Sequence, residues 1–237
     1  QRSRLRTGLS KLIYKLLHKA AADFSMYKER LYESPAVKWQ SSSNGNTALA
    51  LEEAAKALEA EGVETELFQI GSGAIQDCID CGKCTEKGCI FTGDPVNAFI
   101  CKSKGSRRVY LWHACLLCPS YGARLVLLGP CLLCRRRYLS PKTRGSIAVA
   151  RRAGTTASVD VMNKYFTIAE MPVVSSTYWN VGHGLAAGDI LKDAEGLQTI
   201  RNLGKNMAYL LKCLEAGKKA GIELPGTKRE VWTHFIR

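Results

Sequence analysis

The sequence predicts an α/β protein built on a doubly wound parallel sheet, and three observations carry that expectation. Residues 41–70 run from a polar, glycine-bearing loop into an Ala/Leu-rich segment and then into an alternating segment, which is loop, helix and strand in order. Residues 145–217 repeat the rhythm as strand, loop, helix, strand, loop, helix. The 237-residue chain is 46% hydrophobic and 23% charged, an ordinary globular balance that excludes a disordered polyelectrolyte.

Residues 1–40 interleave Leu5, Leu9, Leu12, Ile13, Leu16 and Leu17 with Lys11, Lys15 and Lys19. That spacing suits a basic amphipathic helix, and a solvated helix is the favoured reading over a membrane-surface one. The segment lacks the apolar core of a secretory signal, and no stretch is long enough to span a bilayer, so no membrane association is expected. Residues 27–40 show no period of either kind.

The helix after residue 47 follows from Ala and Leu propensity and from the stripe Leu49, Ala50, Glu53, Ala54, Ala57, Leu58. Asn46 or Thr47 is the expected cap, and Gly62 the left-handed C-terminal residue. Val63, Thr65 and Leu67 then alternate with Glu64 and Glu66 as a strand. A helix start leaves backbone N–H groups unpaired at the positive end of the dipole, so the Ser/Asn/Gly loop before it is either a plain cap or a phosphate cradle.

The formal charge of +13 would ordinarily suggest a nucleic-acid partner. Its distribution argues otherwise: residues 1–42 carry +6, residues 102–144 carry +10 without a single acid, and the rest is −3. No nucleic acid is therefore expected.

Cys78, Cys81, Cys84 and Cys89 form a C-x2-C-x2-C-x4-C array. Thiolates at that density suit an iron–sulfur cluster; zinc accepts four thiolates but more often from two separated pairs, and free or redox-active thiols are the alternative. Asp94 is placed to cap a short helix after Pro95. Residues 102–144 contain a second array, Cys115, Cys118, Cys131 and Cys134, beside Arg135, Arg136 and Arg137. Read literally it is a zinc-site pattern, although its Leu-Leu fillers lack the glycines that turn amides toward sulfur.

From residue 145 regularity returns. Residues 146–150 form a short buried strand followed by a loop at Arg151, Arg152, Ala153 and Gly154. Residues 160–169 fit a helix and 171–175 a strand; Tyr178, Trp179, Asn180, His183 and Gly184 fall in a loop, where His183 reads as structural. Residues 195–217 form a long helix with Leu197, Ile200, Leu203, Met207, Leu210, Leu211 and Leu214 on its apolar face.

Together, residues 44–47 (NGNT), the CIDCGKC loop, residues 94–97 (DPVN), residues 150–154 (ARRAG) and residues 178–180 (YWN) resemble the flavodoxin-like NADPH-dependent FMN reductase family, most nearly its iron–sulfur flavoprotein branch. The likeness spans about 44–101 and 145–237. Members of that family begin with a buried strand entering a GSPxxxGNT loop and carry a TPVYF-like segment against the flavin; both are missing here. Read one base later with permitted codons, residues 32–43 become MKVLLLNGSPHP, residues 108–118 become GFIFGTPVYFA, and residues 128–137 give LDRAFYAGG. The same displacement restores both missing motifs where the family has them. We therefore read 32–43 and 102–142 as frameshifted, residues 1–31 as a non-native basic extension, and 32–237 as one flavodoxin-like domain whose first and third strands are compromised.

The resemblance implies a cytoplasmic FMN-dependent, NAD(P)H-linked oxidoreductase that is a homo-oligomer and passes electrons to a redox partner or small-molecule acceptor. Ser41, Ser43, Asn44, Asn46 and Thr47 would hold the FMN phosphate; Arg151, Arg152, Ala153, Gly154, Tyr178 and Trp179 would lie near the isoalloxazine; Cys78, Cys81, Cys84 and Cys89 would ligate a 4Fe-4S cluster. No catalytic residue is assigned. If the sequence is instead authentic throughout, a zinc-stabilised basic nucleic-acid-binding protein is the competing reading.

Overall fold

The computed structural model describes residues 33–34, 45–66, 68, 73–85, 88–103, 110–115, 143–226, 230–231 and 233–235. Five strands are present among them: β1 (Glu33–Ser34), β2 (Glu64–Thr65), β3 (Tyr110–Cys115), β4 (Arg144–Ala150) and β5 (Val181–His183). Four α-helices accompany them: α1 (Asn46–Ala60), α2 (Val96–Ser103), α3 (Thr155–Ile168) and α4 (Ala194–Lys219). All strand pairings are parallel. β1 pairs with β2, and β3, β4 and β5 form a second ladder with β4 in its centre. Among the described residues the two ladders are separate, and the parallel pairing within each is that of a doubly wound fold.

Alternation along β4 divides the core into two layers, as side chains on successive strand residues point to opposite faces. Ile147 and Val149 join Leu51, Leu58, Ile200, Leu203 and Met207 on the face covered by α1 and α4. Ala148 joins Phe99, Ile100, Met162 and Phe166 on the face covered by α2 and α3. Every residue of β4 is buried, the signature of a strand covered on both sides.

α1 and α4 lie in close contact. Gly204 makes this possible, because a Cβ there would stand 2.8 Å from the Ala54 carbonyl oxygen and 2.8 Å from the Ala57 Cβ. The ion pairs Arg201–Glu53 and Lys212–Glu61, each 2.7 Å, cross between the two helices. Both are partly exposed and contribute about 0–1 kcal/mol each; apolar burial does most of the holding.

The helices at 46–60 and 194–219 match their sequence-based bounds closely, and Gly62 takes the expected left-handed φ of 81°. The cap of α1 does not match: Gly45 occupies the N-cap, and Asn46 is already helical. The helix expected from 160 starts earlier, at Thr155, because Gly154 adopts φ 83° and turns the chain directly out of the preceding loop.

Two strands also differ from expectation. Residues 171–175 contribute only a bridge from Val173 to Arg144, and pairing resumes at Val181 after an outward excursion over 175–180. The strand expected from residue 63 is present as β2, which pairs with β1 over Glu64–Thr65. Of the two strand positions expected to be weak, the first is described only at Glu33–Ser34. The third carries a six-residue strand, since Tyr110, Leu111 and Trp112 favour extended structure whatever the origin of the segment. The N-terminal extension, the second cysteine array apart from the backbone of Cys115, and most of 102–142 lie outside the described residues. No described helix is long and apolar enough to cross a membrane.

Candidate functional site

In a doubly wound sheet, ligands bind beyond the C-terminal ends of the strands where the strand order reverses. Three segments meet beyond the C-terminal ends of β4 and β5. The first is the N-terminus of α1. Its cap, Gly45, is buried and offers no side-chain hydrogen bond, and the first turn holds no acidic residue. The Ala48 and Leu49 N–H groups donate to the Gly45 carbonyl at 2.9 and 3.2 Å, and the positive end of the helix dipole faces this edge with no carboxylate in the first turn. The second is the loop after β4, where Arg151, Arg152 and Ala153 are exposed and Gly154 turns into α3. The third is the loop after β5: the Gly184 N–H donates to the Ala150 carbonyl at 3.1 Å, which ties this loop to the end of β4.

Asn46 joins the first segment to the third. Its Nδ2 donates to the Ala186 carbonyl at 2.8 Å, and its Oδ1 accepts from the Ile190 N–H at 3.1 Å. The side-chain amide expected on a phosphate is thus spent on backbone groups of the 184–190 loop. Thr47 is buried beside it at 2% exposure. Ser41, Ser43 and Asn44 lie outside the described residues.

Tyr178 and Trp179 stand elsewhere along β5. They occupy the 175–180 excursion, upstream of the paired residues 181–183, and are not in the loop that follows the strand. Their rings meet edge to face at 4.7 Å and remain about half exposed, at 55% and 56%. Asn180 ends the excursion: its carbonyl accepts from the Ala148 N–H at 2.9 Å, while its buried Oδ1 has no hydrogen-bond partner among the described residues.

The sequence reading missed Asp193, which anchors this edge. Its Oδ1 accepts from the Gly196 N–H at 2.9 Å and caps α4, and its Oδ2 accepts from the His183 N–H at 2.8 Å. The Asp-x-x-Gly spacing ahead of a helical stripe was the available signal. His183 Nδ1 lies 3.4 Å from the same carboxylate, consistent with a structural role for this histidine.

The cysteine loop is held at both ends by the start of α2. Asp94 Oδ1 caps α2 through the Val96 N–H at 3.0 Å, as expected, and its Oδ2 accepts from the Gln76 N–H at 3.2 Å. Asn97 accepts from the Cys89 N–H at 2.7 Å and donates to the carbonyls of Cys89 and Phe91 at 3.0 and 2.9 Å. Gly88 has to be a glycine, since a Cβ there would lie against the Asn97 side chain. Within this frame Cys78, Cys81 and Cys89 are half-buried free thiols, whereas Cys84 is disulfide-bonded. Among the described residues, no three His, Cys, Asp or Glu side chains are gathered closely enough to hold a metal ion. With Cys84 in a disulfide, three of the four cysteines of the array are free thiols in this arrangement.

The fold and this edge define the class: a flavodoxin-like α/β domain with its site at the C-terminal ends of the strands. The comparisons agree. RosB, solved with bound 8-demethyl-8-formylriboflavin-5'-phosphate, superimposes with a TM-score of 0.53 over 86% of this chain and 94% of its own, at 16% identity. A flavone reductase gives 0.56 over 77% of this chain and 64% of its own, also at 16% identity. Trp repressor binding protein of Bacillus subtilis gives 0.50 over 72% and 97%, at 14% identity. No protein-family model matches the sequence. An iron–sulfur flavoprotein of Methanocaldococcus jannaschii is 31% identical over 184 residues, which cover 72% of this chain and 93% of the relative. The chain belongs to the iron–sulfur flavoprotein family.

Proposed function

We propose that this protein is an FMN-binding oxidoreductase that takes electrons from NAD(P)H and delivers them to a redox partner or a small-molecule acceptor. The observation that carries the reading is the meeting of the α1 N-terminus, the Arg151–Gly154 turn and the 184–190 loop beyond the C-terminal end of β4. Family membership and the flavin phosphate bound by RosB support it.

The residues present fit a flavin phosphate. The N-terminus of α1 offers the positive end of a helix dipole with no competing carboxylate in its first turn, and the exposed guanidinium groups of Arg151 and Arg152 add positive charge at the same edge. When bound, FMN supplies one- and two-electron transfer. The polypeptide's part is to hold the phosphate, orient the ring and set the polarity around it. Tyr178 and Trp179 enter this picture as an exposed aromatic surface on the 175–180 excursion ahead of β5, suited to a ring or to a second copy in a homo-oligomer.

The cluster is a conditional part of the proposal. Four thiolate ligands require the Cys84 disulfide to be reduced and the loop over 78–89 to tighten. Iron and acid-labile sulfide measured after anaerobic, reducing purification test this, with Cys81→Ser as the control that loses both.

We also infer that 32–43 and 102–142 are read out of frame. In support, the same one-base displacement restores both motifs at the places where the family carries them. Resequencing the coding DNA decides the matter: an insertion or deletion near codons 44, 102 and 140 is expected, and its absence ends the inference. A chain carrying MKVLLLNGSPHP and GFIFGTPVYFA at those places binds FMN more tightly than the chain as it stands.

The visible spectrum of the anaerobically purified protein, followed by titration with FMN and then NADPH, tests the function. Flavin absorbance that NADPH bleaches is expected. A protein that takes up no FMN, in the present and the restored sequence alike, overturns the reading.

A further inference from the structure

We infer that Asn46 is a positioning residue: it fixes the first turn of α1 relative to the end of β4 through the loop after β5, so its loss weakens binding of the flavin phosphate without any direct contact to it. The inference rests on the FMN reading above.

Both ends of the Asn46 amide are committed to one loop, the Nδ2 to the Ala186 carbonyl at 2.8 Å and the Oδ1 to the Ile190 N–H at 3.1 Å. These partners lie 140 and 144 residues away in sequence. The loop is shaped to receive the amide. A Cβ on Gly184 would stand 2.7 Å from the Asn46 Nδ2 and 2.9 Å from the Ile190 nitrogen, so only glycine leaves room for the bridge.

The loop is in turn rigidly tied. The Gly184 N–H donates to the Ala150 carbonyl at 3.1 Å, the Ala186 N–H to Asp189 Oδ2 at 2.8 Å, and the His183 N–H to Asp193 Oδ2 at 2.8 Å. The position of the α1 start is therefore inherited from the end of β4, the residue before Arg151. Helix-terminus attraction for an anion falls off within a single turn. A small displacement of α1 thus weakens phosphate binding more than ring binding.

The test is a fluorescence titration of the full chain with FMN and, separately, with riboflavin, which has the ring but no phosphate. Asn46→Ala removes two neutral hydrogen bonds and is expected to weaken FMN about tenfold while changing riboflavin less than about twofold. Gly184→Ala leaves Asn46 intact and should give the same differential. Amide hydrogen exchange in the first turn of α1 should rise in both variants. FMN affinity within about twofold of the parent, equal losses for both flavins, or unchanged exchange in that turn would each overturn the positioning role. A failure of the present and the restored sequence alike to bind either flavin overturns the FMN reading and this role with it.

Discussion

Gly204 provides a quantitative test of the packing that sets α1 in place. Replacing glycine by alanine inside a helix is ordinarily stabilising, by about 0.5–1 kcal/mol. At Gly204 the new Cβ would lie 2.8 Å from the Ala54 carbonyl oxygen and 2.8 Å from the Ala57 Cβ. The first of these is backbone and cannot rotate away, so α1 and α4 must separate. Overpacking of this kind costs about 1–3 kcal/mol, which outweighs the propensity gain at all but the low end. The net expectation for Gly204→Ala is about 1–2 kcal/mol of destabilisation, a fall in Tm of about 2–8 °C for a domain of this size. Gly217 in the same helix is the internal control, because a Cβ there would meet only Ile222, at 3.6 Å and beyond. Gly217→Ala should therefore leave Tm unchanged or raise it by a few degrees. Paired thermal melts and urea titrations read both variants side by side. A Gly204→Ala protein that melts at or above the parent, with the same urea slope, would refute the close approach of the two helices.

Asp193→Ala removes the α4 cap and the acceptor for the His183 N–H, and should cost about 1–3 kcal/mol in urea unfolding; a loss below about 0.5 kcal/mol would show that neither bond matters. Asn97→Ala frees the cysteine loop from α2, so limited proteolysis within 76–91 should accelerate several-fold, with a Tm loss of a few degrees; an unchanged cleavage rate would show that the loop is held by other contacts. The Asp189 carboxyl is held below the usual carboxylate range, chiefly by its hydrogen bond with Lys192 and then by the Ala186 N–H. A depressed carboxylate stabilises the fold above its unfolded pKa, and that contribution fades as pH falls through the folded value. Lys192→Ala should move the Asp189 NMR titration midpoint upward, and a midpoint that stays put would refute the pairing.

The sequence alone determined the class of fold and the position of its regular parts. The apolar stripe from Leu49 to Leu58 and that from Leu197 to Leu214 placed α1 and α4, because helical periodicity is a local property that burial on one face imposes on neighbouring residues. The apolar run over 147–150 announced a buried strand, since a parallel strand covered on both faces needs apolar residues at consecutive positions. Asp94 as a cap and Gly62 as a left-handed stop were equally local. What only the tertiary structure decided is the site. Asn46 reads locally as a cap or a phosphate ligand, yet its amide is spent on Ala186 and Ile190, and no local pattern reports a hydrogen bond across that separation. The strand expected at 171–175 lost most of its pairing to the excursion over 175–180, since ladder register depends on the partner strand as well as the segment itself. The spacing of Cys78, Cys81, Cys84 and Cys89 identified a loop with ligand chemistry, but where each sulfur points was set by the clamps at Asp94 and Asn97 and by the Cys84 disulfide. Residue type and spacing thus record which chemistry is available, and long-range packing decides which groups are brought together to perform it.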